Sequence, residues 1–298
     1  MVDLTAYTPH FPVEGETVLG SNLRIGPGGK GNNQATAAAR AGGNVKMIAR
    51  MGRDVLGNVI TEHYKNEGLS TEYITVSDST DTGCALIEID EQSGQNRIIV
   101  MKNANNEITK AHVHGAESEF ADCDIFLTQL ETSIESVSAG IHLAKKYGKT
   151  VILNPAPFQD IPDELFSHID YITPNETEAE FFTGIPVKTQ ADAQKAADAL
   201  IKKGVKNVVI TLGKLGAFYT NGTTFLLVAP PTVKAVDTTG AGDAFNGGLA
   251  VALAEGADIE SALKFANATA AISVTNKGAA TAAPKRKETE MLVTEFYK

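Results

Sequence analysis

Part-way along the chain the rhythm of apolar and polar positions changes. From about residue 120 onward, short apolar runs alternate with segments whose apolar residues recur every three to four positions. "DIFLTQL" predicts a strand and "SIESVSAGIHLAKKYG" a helix; "TVILNPAP" predicts a strand stopped by prolines. "DYITPNETEAEFFTG" reads as a strand running into a helix, "DAQKAADALIKKG" as a helix and "NVVITLG" as a strand. Two apolar-faced helices, "GAGDAFNGGLAVALAEG" and "IESALKFANATAAISVT", come near the end. This alternation predicts an α/β fold with a mostly parallel central sheet flanked by helices.

The N-terminal part follows another pattern. "TGCALIEID" and "NRIIVMKN" flank "EQSGQ", which predicts a hairpin, and "GETVLGSNLRI" also reads as extended. Strands that belong to no helix predict a small sheet standing off the main body, built from roughly residues 3–27 and 82–103 of a single domain spanning 1–298. Such a flap is a natural lid, because closing it excludes water from chemistry beneath.

Open α/β sheets bind ligands where strands give way to helices, so the loops "LNPAP", "TPNETE", "TLGKLG" and "VDTTGAGD" become the places to search. In the last of these, Gly240-Ala241-Gly242 opens a helix, so unpaired amides and the positive helix end converge on one point. That geometry stabilises an anion, including a phosphoryl group in transit. Asp243 follows in the first turn. A helix-dipole partner is the ordinary role of such an acid. Beside an anion hole it can also take a proton from a substrate hydroxyl, and that reading carries more weight.

"IGPGGKGNNQA", Ile25–Ala35, fits the G-x-G-x-x-G spacing through Gly26, Gly28 and Gly31, and Asp54 lies near the distance of a ribose-binding acid. A dinucleotide is therefore one reading. The side chains of Asn32, Asn33 and Gln34 suit a ligand rich in hydroxyls better, so sugar binding ranks higher. "GKT" at 148–150 lacks the earlier glycine of a phosphate loop, since Leu143 stands there; Gly148 reads as a helix end. Asn175 and Glu178 share one helix face, either as a capping box or as a Mg²⁺-holding pair near phosphates. Gly213 and Gly216 in "TLGKLG" either admit a nucleotide or shape a hairpin.

Composition narrows the field a little further. The chain has 298 residues, 43% hydrophobic and 21% charged, with net charge −10, which argues against nucleic acid or an anionic membrane as partner. No apolar run nears the ~18 residues of a membrane span, and no secretory signal is visible. The only cysteines, Cys84 and Cys123, read as reduced thiols of a cytoplasmic protein.

Taken together and in order, "GGKGNNQA", "NPAP", "PNETEAE", "TLGKLG" and "DTTGAGDAFNGG" resemble the ribokinase-like (PfkB) carbohydrate kinases over nearly the whole chain, nearest to their ribokinase and deoxyribokinase branch. The resemblance implies ATP-dependent phosphorylation of the primary 5-hydroxyl of a pentose, ribose or 2-deoxyribose, or else a kinase of another small sugar or nucleoside. It implies Asp243 as base, with Gly240, Ala241 and Gly242 as anion hole. It implies a sugar site at Asp3, Gly29, Lys30, Asn33 and Glu131, a nucleotide site at Thr211, Gly213, Gly216 and Asn267, and a Mg²⁺–phosphate region at Asn175 and Glu178. It also implies a K⁺ loop at Asp237, Thr239, Ser273, Asn276, Gly278 and Ala282, and a homodimer formed through the small sheet. Two departures stand out. The family has a strand and a Gly-Ser turn before the position of Val2-Asp3, so the resemblance implies that a buried core strand is missing from this sequence, at a stability cost of several kcal/mol. Met1 also stands where ribokinases usually carry a sugar-binding Asn, which suits a sugar lacking one hydroxyl. The readings from other classes are an NAD(P)-dependent oxidoreductase using Gly26–Gly31 and a sugar-binding protein without catalysis.

Overall fold

A computed structural model describes all 298 residues. In chain order the elements are β1 (Val2–Thr8), β2 (Asn22–Pro27), α1 (Lys30–Arg40), β3 (Ala49–Gly52), α2 (Val55–Glu67), β4 (Ile74–Ser77), β5 (Cys84–Asp90) and β6 (Asn96–Met101). Then come α3 (Lys110–Gly115), α4 (Glu117–Asp122), β7 (Ile125–Thr128), α5 (Ile134–Lys146), β8 (Thr150–Leu153), β9 (Tyr171–Ile172), α6 (Glu176–Thr183) and α7 (Gln190–Lys202). The chain closes with β10 (Asn207–Thr211), β11 (Ala217–Thr220), β12 (Phe225–Val228), α8 (Ala241–Ala254), α9 (Ile259–Ser273) and α10 (Arg286–Phe296).

The central sheet has the order β12-β11-β10-β9-β8-β7. Strands β7 to β10 run parallel, while β11 and β12 fold back antiparallel. Alternation along β10 places its helices on both faces. Val208 and Ile210 join α5 and α7 in one core, and Val209 joins Phe245, Leu249 and Leu263 of α8 and α9 in the other. The α/β architecture expected from the sequence is present.

A second sheet, β2-β1-β5-β6, stands separately. Its centre is the parallel pair β1–β5, and β2 and β6 flank it antiparallel. The hairpin around "EQSGQ" is there, but of "GETVLGSNLRI" only the part from Asn22 onward pairs as a strand. In register across the four strands lie Ile25, Leu4, Leu86 and Ile99, of which Ile25, Leu86 and Ile99 are exposed. A further unit that the apolar pattern did not reveal is β3-α2-β4, whose strands pair parallel. Strand β3 reads "ARMG", too short and too polar at Arg50 to announce itself.

Asp54, weighed as a ribose-binding acid, caps α2 instead. Its carboxylate accepts from the Gly57 amide at 2.7 Å, the Thr82 amide at 2.6 Å and the Thr82 hydroxyl at 2.8 Å. Partial burial alone would raise its pKa, but these hydrogen bonds outweigh it and hold the group below the ordinary aspartate value. A depressed folded pKa contributes stability above the unfolded value, lost as pH falls through the folded one. Asp54→Ala should therefore destabilise by roughly 1–3 kcal/mol at neutral pH, read as a lower Tm, and the gap to the parent should narrow in acid below the ordinary aspartate pKa.

Candidate active site

Gly240 caps the start of helix α8, and its φ of 75° lies in the left-handed region. A side chain there would also collide with Ala279, since a Cβ would stand 2.8 Å from the Ala279 Cβ. Gly242 in the same turn faces open space, with nothing within 4 Å of where a Cβ would stand. The helix N-terminus thus borders a clear volume at Gly242, while the Ala241 amide donates to the Thr238 carbonyl at 3.3 Å. Asp243, one residue further, is buried.

Two neighbours on α1 hold that carboxylate. Asn33 donates to its Oδ2 at 2.9 Å, and Gln34 donates to its Oδ1 at 3.0 Å. Gln34 also donates to the Asn154 Oδ1 at 3.0 Å and accepts from the Gln129 amide. Asn154 continues to the Thr173 carbonyl, the Thr173 hydroxyl to Asn246, and Asn246 back to the Gly242 carbonyl at 2.8 Å. A closed circuit of buried amides and hydroxyls therefore fixes both the acid and the turn beside it. The sequence pointed to Asn33, and to Gln34 only as a polar group. Gln129, Asn154 and Asn246 were missed, although amides inside otherwise apolar strand ends and helix faces are the available signal.

The other expected sugar residues gather close by. Met1 carbonyl accepts from the Gly28 amide at 3.1 Å, and the Asp3 carboxylate lies directly over Gly28, where a Cβ would come within 2.0 Å of it. Glu131 accepts from the Lys30 backbone amide at 2.7 Å. Gly29 has φ 86° and lies between Met1 and Glu131. Burial raises the pKa of Asp243, Glu131 and Glu178; the charge of Lys30 opposes the shift at all three. Asp3 is pushed up to about 6, by burial first and then by Glu131 and Asp243, against the Met1 amine and Arg24. Arg24, which the sequence reading passed over, reaches from β2 to the Lys277 carbonyl at 3.3 Å.

Asn175 and Glu178 form the capping box: the Asn175 side chain accepts from the Glu178 amide at 2.8 Å and Glu178 accepts from the Asn175 amide at 2.9 Å. The pair is thus structural in geometry, yet Glu178 remains buried within electrostatic reach of Lys30 and Asp243. Asn175 also bridges to Thr211 at the end of β10. Gly213 and Gly216 (φ 49° and 94°) shape the turn into β11, and Gly216 packs against the Val228 carbonyl. Asn267 is buried and donates to that same carbonyl at 2.8 Å, tying α9 to β12.

Asp237 draws two loops together, accepting from the Thr239 amide at 3.0 Å and the Gly278 amide at 2.9 Å. The Ser273 hydroxyl turns to the Ala270 carbonyl, Asn276 lies on the surface, and Ala282 is buried in the following turn. No group of three or more His, Cys, Asp or Glu side chains is arranged to hold a metal. A hard divalent ion here would have to draw most of its oxygen ligands from phosphates and water, with Glu178 as the nearby carboxylate. A monovalent ion would rest on backbone carbonyls of the two loops.

The glycine loop does not have the context of a dinucleotide fingerprint. Strand β2 belongs to the small sheet and pairs antiparallel with β1, so no parallel β-α-β unit surrounds Gly26–Gly31. A cavity of about 510 Å³ lies beside the site. It reaches Gly29 and Glu131 at one end, but neither Asp243 nor the Gly240–Gly242 turn lines it.

Comparison with known proteins agrees with this arrangement. The pattern described as "pfkB family carbohydrate kinase" matches residues 1–286. The chain is 43% identical to a ribokinase of Haemophilus influenzae over 281 residues, covering 94% of this chain and 92% of the relative. It is 37% identical to a deoxyribokinase of Salmonella typhi over 285 residues, 95% of this chain and 93% of that one. A solved Arabidopsis thaliana ribokinase, complexed with ribose and ATP, superposes with a TM-score of 0.91 at 32% identity, covering 98% of this chain and 96% of the other.

The raised pKa of Asp3 has a consequence for stability. Its folded value lies above its unfolded value of 3.8, so the folded state binds the proton more tightly and is destabilised by the ionised group above about pH 6. Asp3→Asn should stabilise the ligand-free chain by about 1–2 kcal/mol at pH 7.5. That gain should fade as pH falls from 6 toward 4, measured by thermal unfolding at several pH values.

Proposed function

Because the chain belongs to the pfkB family of carbohydrate kinases, we propose that it transfers the γ-phosphoryl group of ATP to the primary 5-hydroxyl of a pentose. One observation supports the reading: a buried carboxylate, Asp243, is gripped on both oxygens by side chains of the glycine loop's helix and stands in the first turn of α8 directly after Gly242, which borders open space. The sugar would sit between α1 and the small sheet, with Asp3, Lys30, Asn33 and Glu131 around its hydroxyls and Gly29 leaving it room. Asn33 would pass from Asp243 to the sugar on binding. Asp243 would then accept the proton of the 5-hydroxyl as the oxygen attacks, and the amides of Gly240, Ala241 and Gly242 would bear the charge of the transferring phosphoryl. Burial, by raising the base's pKa, increases its appetite for that proton.

The nucleotide would lie along Thr211, Gly213 and Gly216, with Asn267 and Asn175 positioning the walls. Glu178 would hold Mg²⁺ through its water shell, and the ion would supply charge neutralisation on the phosphates. K⁺ would rest at the junction of the 237–239 and 273–282 loops, which Asp237 draws together. The small sheet would act as lid over the sugar, and its exposed row Ile25, Leu86 and Ile99 supports pairing with a second copy of the chain. Two free thiols and the lack of any helix long and apolar enough to cross a membrane fit a cytoplasmic enzyme.

Between the two sugars, Met1 favours 2-deoxyribose. Its side chain packs at Gly29 and Gly83 beside Glu131, so an apolar wall stands where a hydroxyl would need a partner. Ribose is the second reading, supported by the relatives of that name.

In an ADP-release assay over a pentose panel, 2-deoxyribose should give the highest kcat/KM. Asp243→Asn should lower kcat by at least on the order of 10²–10⁴-fold, with ATP affinity changed little. Turnover near the parent rate in that variant would remove Asp243 as the base.

A further inference from the structure

The glycine turn that opens α8 rests on a short segment from near the end of the chain. Ala279 packs against Gly240, since a Cβ on that glycine would stand 2.8 Å from the Ala279 Cβ. Four residues on, Ala283 packs with Ala244 and with Ala37 of α1 in a small buried core. Residues 279–283 therefore touch α8 on either side of Asp243 in the chain, at Gly240 and at Ala244. Where this segment stands decides where the turn stands. Yet it is a single 3₁₀ turn, Ala280–Ala282, with few hydrogen bonds of its own: the Ala282 amide to the Ala279 carbonyl and the Ala283 amide to the Ala280 carbonyl.

One side chain ties the segment to the body. Arg40, the last residue of α1, donates from Nη1 to the Thr281 carbonyl at 2.9 Å and to the Ala283 carbonyl. The rest of its guanidinium is taken by Glu67 at the end of α2, Nε to Oε2 at 2.9 Å and Nη2 to Oε1 at 2.7 Å. A two-point grip on a carboxylate fixes the guanidinium plane, and so aims Nη1 at the two carbonyls. The same hydrogen bonds hold Glu67 below the ordinary glutamate pKa.

An exposed ion pair would carry little weight. This pair is different, because its side chains are only 20% and 17% exposed and its remaining donor goes to backbone that backs the glycine turn. The neighbouring arginine makes the contrast. Arg286 donates to the Ala41 carbonyl at 3.1 Å and to Glu255 at 2.9 Å, bracing the far end of α8. Arg40 reaches the near end. Helix α1 thus holds the Asp243 carboxylate through Asn33 and Gln34 in its first turn, and the segment behind that acid through Arg40 in its last.

We propose that Arg40, oriented by Glu67, is a positioning residue for phosphoryl transfer: it presses residues 279–283 against Gly240 and Ala244 and so keeps the glycine turn and Asp243 in register. It acts through backbone, and the sugar residues lie on other elements or at the opposite end of α1. Removing it strands two carbonyls and loosens the turn while leaving the sugar site in place. The inference rests on the kinase reading of Asp243.

The test measures steady-state kinetics and amide exchange in Arg40→Ala and Glu67→Gln. Arg40→Ala should lower kcat on the order of 10–100-fold, with the pentose KM within a factor of about two of the parent's. Guanidinium ion added to Arg40→Ala should restore part of that kcat, and sodium chloride at the same concentration should not. Exchange should quicken about tenfold or more at 240–244 and 279–283 and stay unchanged in β10. Glu67→Gln keeps the size but not the charge that orients Arg40; it should show the same pattern with a smaller fall, and it decides the matter where Arg40→Ala does not fold. A kcat near the parent's in the folded variants, a loss carried by the pentose KM instead, or exchange at 240–244 no faster than in the parent would each overturn the proposal. If the parent phosphorylates no pentose, the kinase reading falls on that result alone, while exchange still decides whether Arg40 holds the turn.

Discussion

The close crossing of α1 and α8 is the constraint on which the rest of the site depends. A Cβ on Gly247 would stand 2.6 Å from the Ala37 Cβ and 2.8 Å from the Ala38 nitrogen, so only glycine allows the two helices to approach this far. Small residues along "QATAAA" and "NGGLAVA" make the rest of the contact, and Ala37, Ala244 and Ala283 form a small core of their own. On the other side of α8, Gly248 lets α9 approach, its Cβ position lying 2.8 Å from the Thr269 hydroxyl. At this separation the short side chains of Asn33 and Gln34 reach the Asp243 carboxylate. A wider crossing would leave that acid buried without partners, a far less favourable state than either exposure or pairing.

Electrostatics then sets the character of the pocket. Four carboxylates, Asp3, Glu131, Glu178 and Asp243, are all shifted toward protonation, chiefly because burial removes water from their charged forms. Lys30 is the nearby cation that opposes the shift at three of them, and the amides of Asn33 and Gln34 add to it at Asp243. Burial thus raises the proton affinity of these groups at a local cost in stability.

The small sheet is tied to the body by few contacts of a specific kind. Its strand β1 carries Asp3, its strand β2 runs directly into the glycine loop, and Arg24 reaches across to Lys277 beside the Asp237 loops. Movement of this sheet therefore moves Asp3, the start of α1 and the loop at Lys277 together. That coupling is a property of connectivity as much as of packing.

The sequence by itself determined the main sheet and its helices from residue 120 onward, because strands buried on both faces and amphipathic helices leave periodicities that no distant contact alters. It also determined the glycine turn that opens α8, since Gly240, Gly242 and Asp243 lie together in the chain and their conformation is local. The β3-α2-β4 unit was not legible, because four-residue strands such as "ARMG" have too few positions for a period to show. Gln34, Gln129, Asn154 and Asn246 could not be assigned either: each has a partner far away along the chain, and an amide's role is decided by what meets it. Asn175 and Glu178 looked equally suited to a cap and to a cation, and the fold makes them a cap that also faces the buried charges. Only the tertiary structure decided that Asp54 caps a helix and that Asp243 is held by two amides from another helix. Those are facts of long-range approach, which local physical chemistry permits but does not impose.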